Sequence, residues 1–457
     1  MLDRKKQTIF SLFGAIFKWP CLLSFGFLFF HFNIYAGDFS ADIKKVENHM
    51  DSLLNNRTPP SIFKQKLRSD GLTELYLDGD EYSGLDGNKK TRIFALYGYP
   101  QKPLTGKNIK FGKAPAMVLV HGGGGTAYGE WVKNWNKAGF AAISIAVEGQ
   151  TDIRATGNKH LPWLRHDYAG PSRNGIYQDF SQPISDQWMF HAVSAVIRAN
   201  NFLRSKGEID NSHIGLSGIS WGGVITATAI GYDPRFDFAI PVYGCGYLAQ
   251  MDNQYEVALA NNPQYQAVWE PGNRLERFNR PTFWLTDLHD QHFSLDAQAK
   301  SYRHVAGESS VTIKPLMRHS HPQGWEQPES YIYAQSVVLN GKAPIQPSSP
   351  LLSSGQFAQV RFKISDRVIK PQDIHQATIY YTTDTGNTGK AEWQSDDAKI
   401  QWFDAKQSMV EVEYSKLPEN VVHWFVNLSV KIPADRVLQD ENTDFTVSSY
   451  LHSTPVL

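Results

Sequence analysis

The chain has 457 residues, more than one ordinary domain usually holds, so we expect two domains. Basic and acidic residues both number 45, and this balance argues against a nucleic-acid-binding protein and against one held on an anionic membrane surface. The chain contains two cysteines, Cys21 and Cys245, so its fold cannot depend on a set of internal disulfides.

A signal peptide is predicted at the N-terminus, in residues 1–36. Residues 3–6 supply a basic start, an apolar stretch follows to residue 30, and the small Ala36 precedes a suitable cleavage point. Because Lys18 and Pro20 interrupt the apolar stretch, it is short for a membrane span. We therefore expect an exported protein, periplasmic or secreted, and retention of the segment as an N-terminal anchor is the alternative.

Strands that alternate with helices are predicted for a catalytic domain at residues 37–340. Short apolar or alternating segments predict strands at 72–78, 91–99, 115–120, 141–147, 213–217, 238–244, 281–286 and 310–316. Helical spacing predicts helices at 43–54, 187–203, 224–230, 295–305 and 327–339, and a further helix that carries Trp131 and Trp135. This alternation indicates βαβ units and a mostly parallel sheet with helices on both faces.

Three parts of the chain depart from that pattern. Residues 148–183 are predicted to form an irregular insert that contributes a wall of the substrate pocket. Residues 341–354 are rich in proline, serine and glycine and are predicted to be a linker. The β-rich segments of residues 355–457 predict a small all-β sandwich domain. Its tryptophans, Trp393, Trp402 and Trp424, are either core residues or a platform for glycans.

The stretch around Ser220 has the strongest chemical signature in the chain. Gly218, Ser220 and Gly222 form G-x-S-x-G between a predicted strand and a predicted helix, the context of a nucleophile elbow. Glycines on both sides of the serine let neighbouring backbone pass close, so that the turn holds the hydroxyl above the sheet edge. The alternative is a tight turn with an incidental serine.

A serine hydroxyl needs a base, and that base needs an orienting carboxylate. Asp287 and Asp290 follow one predicted strand, and we favour Asp290 because it lies further out in the loop. His319 and His321 follow the last predicted strand, and we favour His319 because it is nearer to the strand end. The order serine, acid, histidine is the order that this kind of triad requires.

The glycine run 122–125 follows a predicted buried strand and supplies donors for a developing oxyanion. We predict an oxyanion hole formed by the backbone amides of Gly123 and Trp221, with Gly122 as a further donor. His121 is expected to brace the loop. A metal site at His319 and His321 is the alternative, but no third ligand is evident, so we predict no metal and no cofactor.

At these residues the chain resembles the α/β-hydrolase superfamily, and within it the acetyl xylan esterase and dienelactone-hydrolase-like branch. The resemblance covers about residues 90–340. Its pieces are His-Gly-Gly-Gly-Gly at 121–125, Asp-Gln-Trp at 186–188, Gly-Ile-Ser-Trp-Gly at 218–222, Val-Tyr-Gly-Cys-Gly at 242–246, Asp-Gln-His-Phe at 290–293 and His-Ser-His-Pro at 319–322.

The resemblance implies an α/β-hydrolase fold and a serine carboxylesterase that acts on acetyl esters of carbohydrate or polysaccharide fragments. The expected partners are thus ester substrates, with no nucleic acid and no stable membrane association once the signal is removed. Two alternatives remain: an exported serine peptidase or amidase with the same triad, and an inactive carbohydrate-binding relative. Cys245 is expected to be a buried structural thiol rather than a nucleophile.

Overall fold

The computed structural model describes residues 38–55, 58–85, 89–155, 162–348, 351–353, 356–364, 369–404, 408–433 and 443–453. The signal peptide predicted for residues 1–36 lies outside the described residues, and residues 37–457 form one compact unit. Among the helices described, none combines the length and the apolar composition needed to cross a membrane.

Helices and strands alternate through the first three quarters of the chain, and strands dominate the rest. The helices are α1 Ser40–Asn55, α2 Gly129–Lys137, α3 Trp188–Arg204, α4 Trp221–Ala229, α5 Gln254–Leu259, α6 Leu295–His304, α7 His321–Trp325 and α8 Pro328–Asn340. The strands of this part are β1 Ile62–Leu67, β2 Thr73–Glu81, β3 Lys90–Gly98, β4 Ala114–Val120, β5 Ala141–Ile145, β6 Gln150–Arg154, β7 Trp163–Arg165, β8 Ile209–Ile219, β9 Phe238–Val242, β10 Thr282–Asp287 and β11 Ser309–Lys314. The C-terminal strands are β12 Ile345–Pro347, β13 Leu351–Ser353, β14 Phe357–Ile364, β15 Ile374–Thr382, β16 Gln394–Asp397, β17 Lys399–Asp404, β18 Met409–Tyr414, β19 His423–Ile432, β20 Thr443–Ser448 and β21 His452–Ser453.

A large central sheet organises the molecule. Its strand order is β1-β2-β3-β5-β4-β8-β9-β10-β11-β20-β19-β15-β16, and β21 adds to β19. Within this sheet, neighbouring strands in the stretch β5-β4-β8-β9-β10-β11 run parallel to one another. Strands β1, β2 and β3 extend the sheet with antiparallel pairing. Strands β4, β5, β8, β9 and β10 are fully or mostly buried, as parallel strands covered by helices on both faces must be. The predicted α/β-hydrolase fold is confirmed.

The carboxyl ends of the parallel strands bring the predicted site residues to one edge. The glycine run 122–125 follows β4, Ser220 follows β8, Asp290 follows β10 and His319 follows β11. In a sheet of this kind the ligand site lies outside the carboxyl ends of the strands. Segments separated by as many as 199 residues therefore meet at one place, as the contact between Gly122 and His321 shows.

The C-terminal strands form two layers, one of which continues the central sheet. Strand β20 pairs antiparallel with β11 through Val311 and Ser448, so the sheet passes from the first part into the second. Strands β12, β13, β14, β18 and β17 form the other sheet. Side chains from both sheets, including Val360, Val412 and Leu428, form an apolar core of their own.

The domain boundaries stay predictions, although the structure adds detail to them. The predicted linker 341–354 contains the short strands β12 and β13, which both pair with β14. The insert at 148–183 is not wholly irregular, because β6 and β7 pair antiparallel within it. Strand β1 was not expected from the sequence, since its six residues are all exposed and carry no core-facing pattern.

Candidate active site

The turn between β8 and α4 holds Ser220 in a strained conformation. Ser220 has φ 58° and ψ −118°, a region that side-chain-bearing residues rarely adopt. A Cβ on Gly218 would lie 2.0 Å from the carbonyl oxygen of Gly222, and one on Gly222 would lie 2.1 Å from that of Val120. Glycine is thus required on both sides of the serine, and the elbow predicted from the motif has a steric cause.

Ser220, His319 and Asp290 lie in one hydrogen-bonded chain. His319 Nε2 is 2.8 Å from Ser220 Oγ, and His319 Nδ1 is 2.8 Å from Asp290 Oδ2. In the tautomer that this arrangement favours, Nδ1–H donates to Asp290 and Nε2 accepts the serine hydroxyl. The contacts join a hydroxyl, an imidazole and a carboxylate in the arrangement that the predicted serine hydrolase triad requires.

Asp290 is held by its own loop. It is 2% exposed, and its Oδ1 accepts the amides of His292 at 2.8 Å and Phe293 at 3.1 Å. One oxygen therefore anchors the carboxylate while the other faces His319. Asp287, the competing acid, makes no contact with that ring, and burial raises the pKa of its carboxyl.

Aromatic side chains fix the ring of His319. The Tyr243 ring lies 4.4 Å from it between centroids, and the Phe293 ring stacks on it at 5.9 Å. The Tyr243 hydroxyl donates to the carbonyl oxygen of Arg318 at 2.6 Å and so ties down the loop that carries the histidine. The sequence motif around Tyr243 carried this signal, although no role was assigned to it.

The glycine loop approaches the serine and Trp221. An added Cβ on Gly122 would lie 3.0 Å from Ser220 Cβ, and one on Gly123 would lie 2.9 Å from Trp221 Cδ1. Trp221 is the first residue of α4, where helix amides have no intrahelical acceptor. The glycine loop therefore passes close to Ser220 and Trp221, where the oxyanion hole predicted for the amides of Gly123 and Trp221 would lie.

Gly122, predicted as a further oxyanion donor, has its amide engaged elsewhere in this structure, and its role stays a prediction. Its amide already donates to Nε2 of His321 at 2.9 Å. The cause is the fold of the segment after β11, which places His321 under the glycine loop while His319 faces the serine. His321 is therefore a support for the loop, and His319 is the histidine that contacts Ser220.

His121 also supports the glycine loop. His121 is fully buried, its Nδ1–H donates to the carbonyl oxygen of Gly122 at 2.6 Å, and its Nε2 accepts the amide of Val147 at 2.9 Å. Burial lowers the pKa of His121 to about 4. Burial, together with repulsion from His121, likewise lowers the pKa of His321 to about 4. Both rings are neutral at pH 7, as acceptors of backbone amides must be.

These histidines predict a loss of stability in acid. A histidine in the unfolded chain has a pKa near 6.5. Between about pH 6.5 and pH 4, the unfolded state therefore binds protons that the folded state does not bind. Stability must therefore fall as the pH falls through that window. His321→Asn removes one titrating group but keeps an acceptor for the Gly122 amide. Between about pH 7 and pH 4 this variant should lose up to about 3 kcal/mol less stability than the wild type.

Urea unfolding at a series of pH values measures this difference. The comparison with wild type cancels the buried carboxylates, which titrate in the same range in both proteins. Parallel curves for the two proteins would show that His321 does not titrate with a lowered pKa.

The insert after β5 brings two charged residues to the glycine loop. Glu148 Oε1 accepts the amide of Gly124 at 3.3 Å, and its Oε2 accepts the side-chain amide of Gln150 at 3.0 Å. Arg173 Nε lies 3.6 Å from Glu148 Oε1, and the guanidinium lies 5.0 Å from the centre of the Trp221 ring. Burial raises the pKa of the Glu148 carboxyl, and Arg173 opposes that shift. Glu148 was not predicted as a site residue, because its only signal in the sequence is its position after a buried strand.

Other candidate residues lie outside this arrangement. Cys245 is fully buried, and burial raises the pKa of its thiol, which suits a structural thiol and not a nucleophile. Trp424 is fully buried in the C-terminal core and cannot form part of an open glycan platform, whereas Trp393 is partly buried against the main core. The Trp402 side chain lies outside the described part of the chain. Among the residues described, no group of three or more potential ligands is placed to hold a metal ion.

Comparisons with known proteins find partial similarities to this chain. Residues 166–328 match the prolyl oligopeptidase family. The acetyl esterase Axe7A of Xylanibacter ruminicola is 26% identical over 149 residues, which cover 32% of this chain and 32% of that protein. The chain thus spans only a third of the length of that relative.

Two solved acetyl xylan esterases are also similar. The enzyme from a Paenibacillus species has 21% identity and a TM-score of 0.47, covering 61% of this chain and 90% of that chain. The enzyme from a Thermoanaerobacterium species has 18% identity and a TM-score of 0.45, covering 62% of this chain and 90% of that chain. The chain therefore has an α/β-hydrolase fold with an elbow at Ser220, and its residues 166–328 are similar to the prolyl oligopeptidase family.

Proposed function

We propose that the protein is a serine carboxylesterase that removes acetyl groups from carbohydrate or polysaccharide fragments through an acyl-enzyme. The observation that carries the proposal is the pair of 2.8 Å contacts from His319, one to Ser220 and one to Asp290. The resemblance in sequence to an acetyl esterase supports the choice of acyl group.

The proposed reaction assigns a step to each of the residues described above. His319 Nε2 takes the proton of Ser220 as its Oγ attacks the ester carbonyl carbon, and Asp290 stabilises the imidazolium. The oxyanion faces the amides of Gly123 and Trp221. In enzymes with an oxyanion hole, the loss of one hydrogen-bond donor costs about 2.7–4 kcal/mol of transition-state stabilisation, and we expect a similar contribution from each amide. His319 then gives its proton to the leaving alcohol. A water molecule then attacks the acyl-enzyme carbonyl while His319 takes its proton. His319 returns that proton to Ser220 Oγ as acetate leaves, which restores the serine.

A serine peptidase or amidase is the second candidate function, because the family matched over residues 166–328 is named for a peptidase. An exopeptidase needs a carboxylate to receive the substrate amine. Apart from Asp290, the buried glutamates Glu148 and Glu270 are the carboxylates considered for that role, and both are engaged by the chain. Glu148 accepts Gly124 and Gln150, while Glu270 accepts the amides of Tyr247 and Gly272 and the Tyr265 hydroxyl. This engagement favours an ester over an aminoacyl substrate.

The experiment compares an aryl acetate and acetylated xylan with a panel of aminoacyl anilides, using Ser220→Ala as the blank. We expect hydrolysis of the acetate esters at least about 10²-fold faster than of the anilides, measured as kcat/KM, and no hydrolysis by the variant. Faster cleavage of the anilides would establish the peptidase instead. Binding of xylan without turnover of any substrate would favour the inactive carbohydrate-binding relative.

We further propose that the protein works outside the cytoplasm, on the basis of the basic and apolar composition of residues 1–36. Cell fractionation with mass measurement of the mature N-terminus tests this. A mature chain that begins near Gly37 in the periplasm or medium supports it. A full-length chain in the cytoplasm would contradict it.

A further inference from the structure

Arg173, a residue of the insert, lies at the edge of the proposed oxyanion hole. An added Cβ on Gly123 would lie 2.7 Å from Arg173 Nη2, and the Arg173 guanidinium lies over the ring of Trp221. Gly123 and Trp221 are the two residues whose amides face the reacting carbonyl oxygen in the proposed mechanism. Arg173 is therefore next to the reacting group, although it comes from an insert outside the central sheet.

Most donors of Arg173 find no acceptor within the part of the chain that the structure describes. Nη1 donates to the carbonyl oxygen of Gly175, whereas Nη2 donates to no described group. Nε is buried without a hydrogen-bond partner, since Glu148 Oε1 at 3.6 Å is too distant for one. Buried guanidinium donors are normally satisfied, because an unmet donor forfeits its hydration. An exposed fraction of 23% leaves the Arg173 side chain accessible to a ligand from the cleft.

The charge around Arg173 indicates which acceptor it takes. Glu148 is buried beside the guanidinium and balances its charge, and Glu148 is itself fixed to the glycine loop through the Gly124 amide. A second carboxylate brought by a substrate would be repelled by Glu148. A neutral oxygen, such as a hydroxyl or ring oxygen of a sugar, accepts the free N–H groups without that repulsion.

We propose that Arg173 is a specificity-determining residue that donates to a neutral sugar oxygen beside the scissile ester. The inference rests on the proposed esterase function and narrows its substrates to esters that carry a second acceptor oxygen near the acyl group. Glu148 is the positioning residue, because it holds the guanidinium and the glycine loop together.

The experiment measures kcat and KM for two substrates, a mono-acetylated methyl xyloside and 4-nitrophenyl acetate, which has no sugar oxygen. Arg173→Met removes the hydrogen-bond donors, and Arg173→Lys keeps the positive charge without the planar guanidinium group. Arg277→Met is the control at an exposed arginine, which is paired with Glu47. Arg173→Met should lower kcat/KM for the xyloside about 10- to 100-fold more than for the aryl acetate, the usual range for a hydrogen bond to a charged group. Arg173→Lys should restore part of that selectivity.

A double variant distinguishes the loss of the Arg173 contact from a defect in folding. Arg173→Met leaves Glu148 buried without its cation, so Glu148→Gln together with Arg173→Met provides a neutral pair, with thermal unfolding as the check. The double variant should show the same loss of selectivity. Equal losses on both substrates, or no loss on the xyloside, would overturn the role of Arg173 while leaving the esterase intact. A wild-type protein inert towards both substrates would overturn the esterase function and, with it, this inference.

Discussion

Replacing His319 with alanine should lower kcat for aryl acetate hydrolysis by about 10⁴-fold or more. His319 Nε2 lies 2.8 Å from Ser220 Oγ, and without it no described side chain is placed to take the serine proton. Ser220→Ala should have an effect of the same size. Because the two residues act as a unit, the double variant should be hardly slower than either single variant.

The neighbouring histidine provides a matched control. His321→Asn, which keeps an acceptor for the Gly122 amide, should lower kcat by no more than about 10²-fold, since His321 supports the loop and does not contact Ser220. A larger loss in His321→Asn than in His319→Ala would exchange the two roles. Additive losses from Ser220→Ala and His319→Ala would show that the residues do not share one step.

Gly222→Ala should destabilise the protein by more than about 4 kcal/mol and abolish its activity, or prevent folding. The added methyl would lie 2.1 Å from the carbonyl oxygen of Val120 and 2.7 Å from that of His121. Both contacts are to backbone, which cannot rotate away as a side chain would. The elbow or the end of β4 must move, and either shift displaces Ser220 from the glycine loop.

Gly207→Ala is the control for this substitution. A Cβ at Gly207 would meet no atom within 4 Å, so the change in unfolding free energy should stay within about 1 kcal/mol. Urea unfolding of the two variants measures the contrast. A Gly222→Ala protein with the wild-type midpoint and full kcat would show that the close approach of α4 to β4 is not required.

The order of the triad residues along the chain could be predicted because it follows from topology. Once Ser220, Asp290 and His319 are each assigned to the end of a parallel strand, the sheet itself brings them to one edge. The choice of Asp290 over Asp287 also had a local basis, since a residue further into the loop can turn back towards the histidine. Strand alternation and the glycines of the elbow are similarly local signals.

Other features depend on contacts between distant segments and left no local trace. The engagement of the Gly122 amide depends on His321, 199 residues away, so the loop looked free in the sequence. The pairing of β20 with β11 joins strands more than 100 residues apart, and the C-terminal segment read alone suggested a separate sandwich. Arg173 lies in an insert without periodicity, where only the folded chain shows what its guanidinium meets.

The most direct test of the proposed mechanism is mass spectrometry after treatment with a fluorophosphonate probe, which reacts covalently with an activated serine. We predict one adduct per chain, located on Ser220, formed rapidly by the wild type and far more slowly by His319→Ala. An adduct on another serine, such as Ser217, or esterase turnover by a protein that remains unlabelled, would contradict the assignment of Ser220 as the nucleophile.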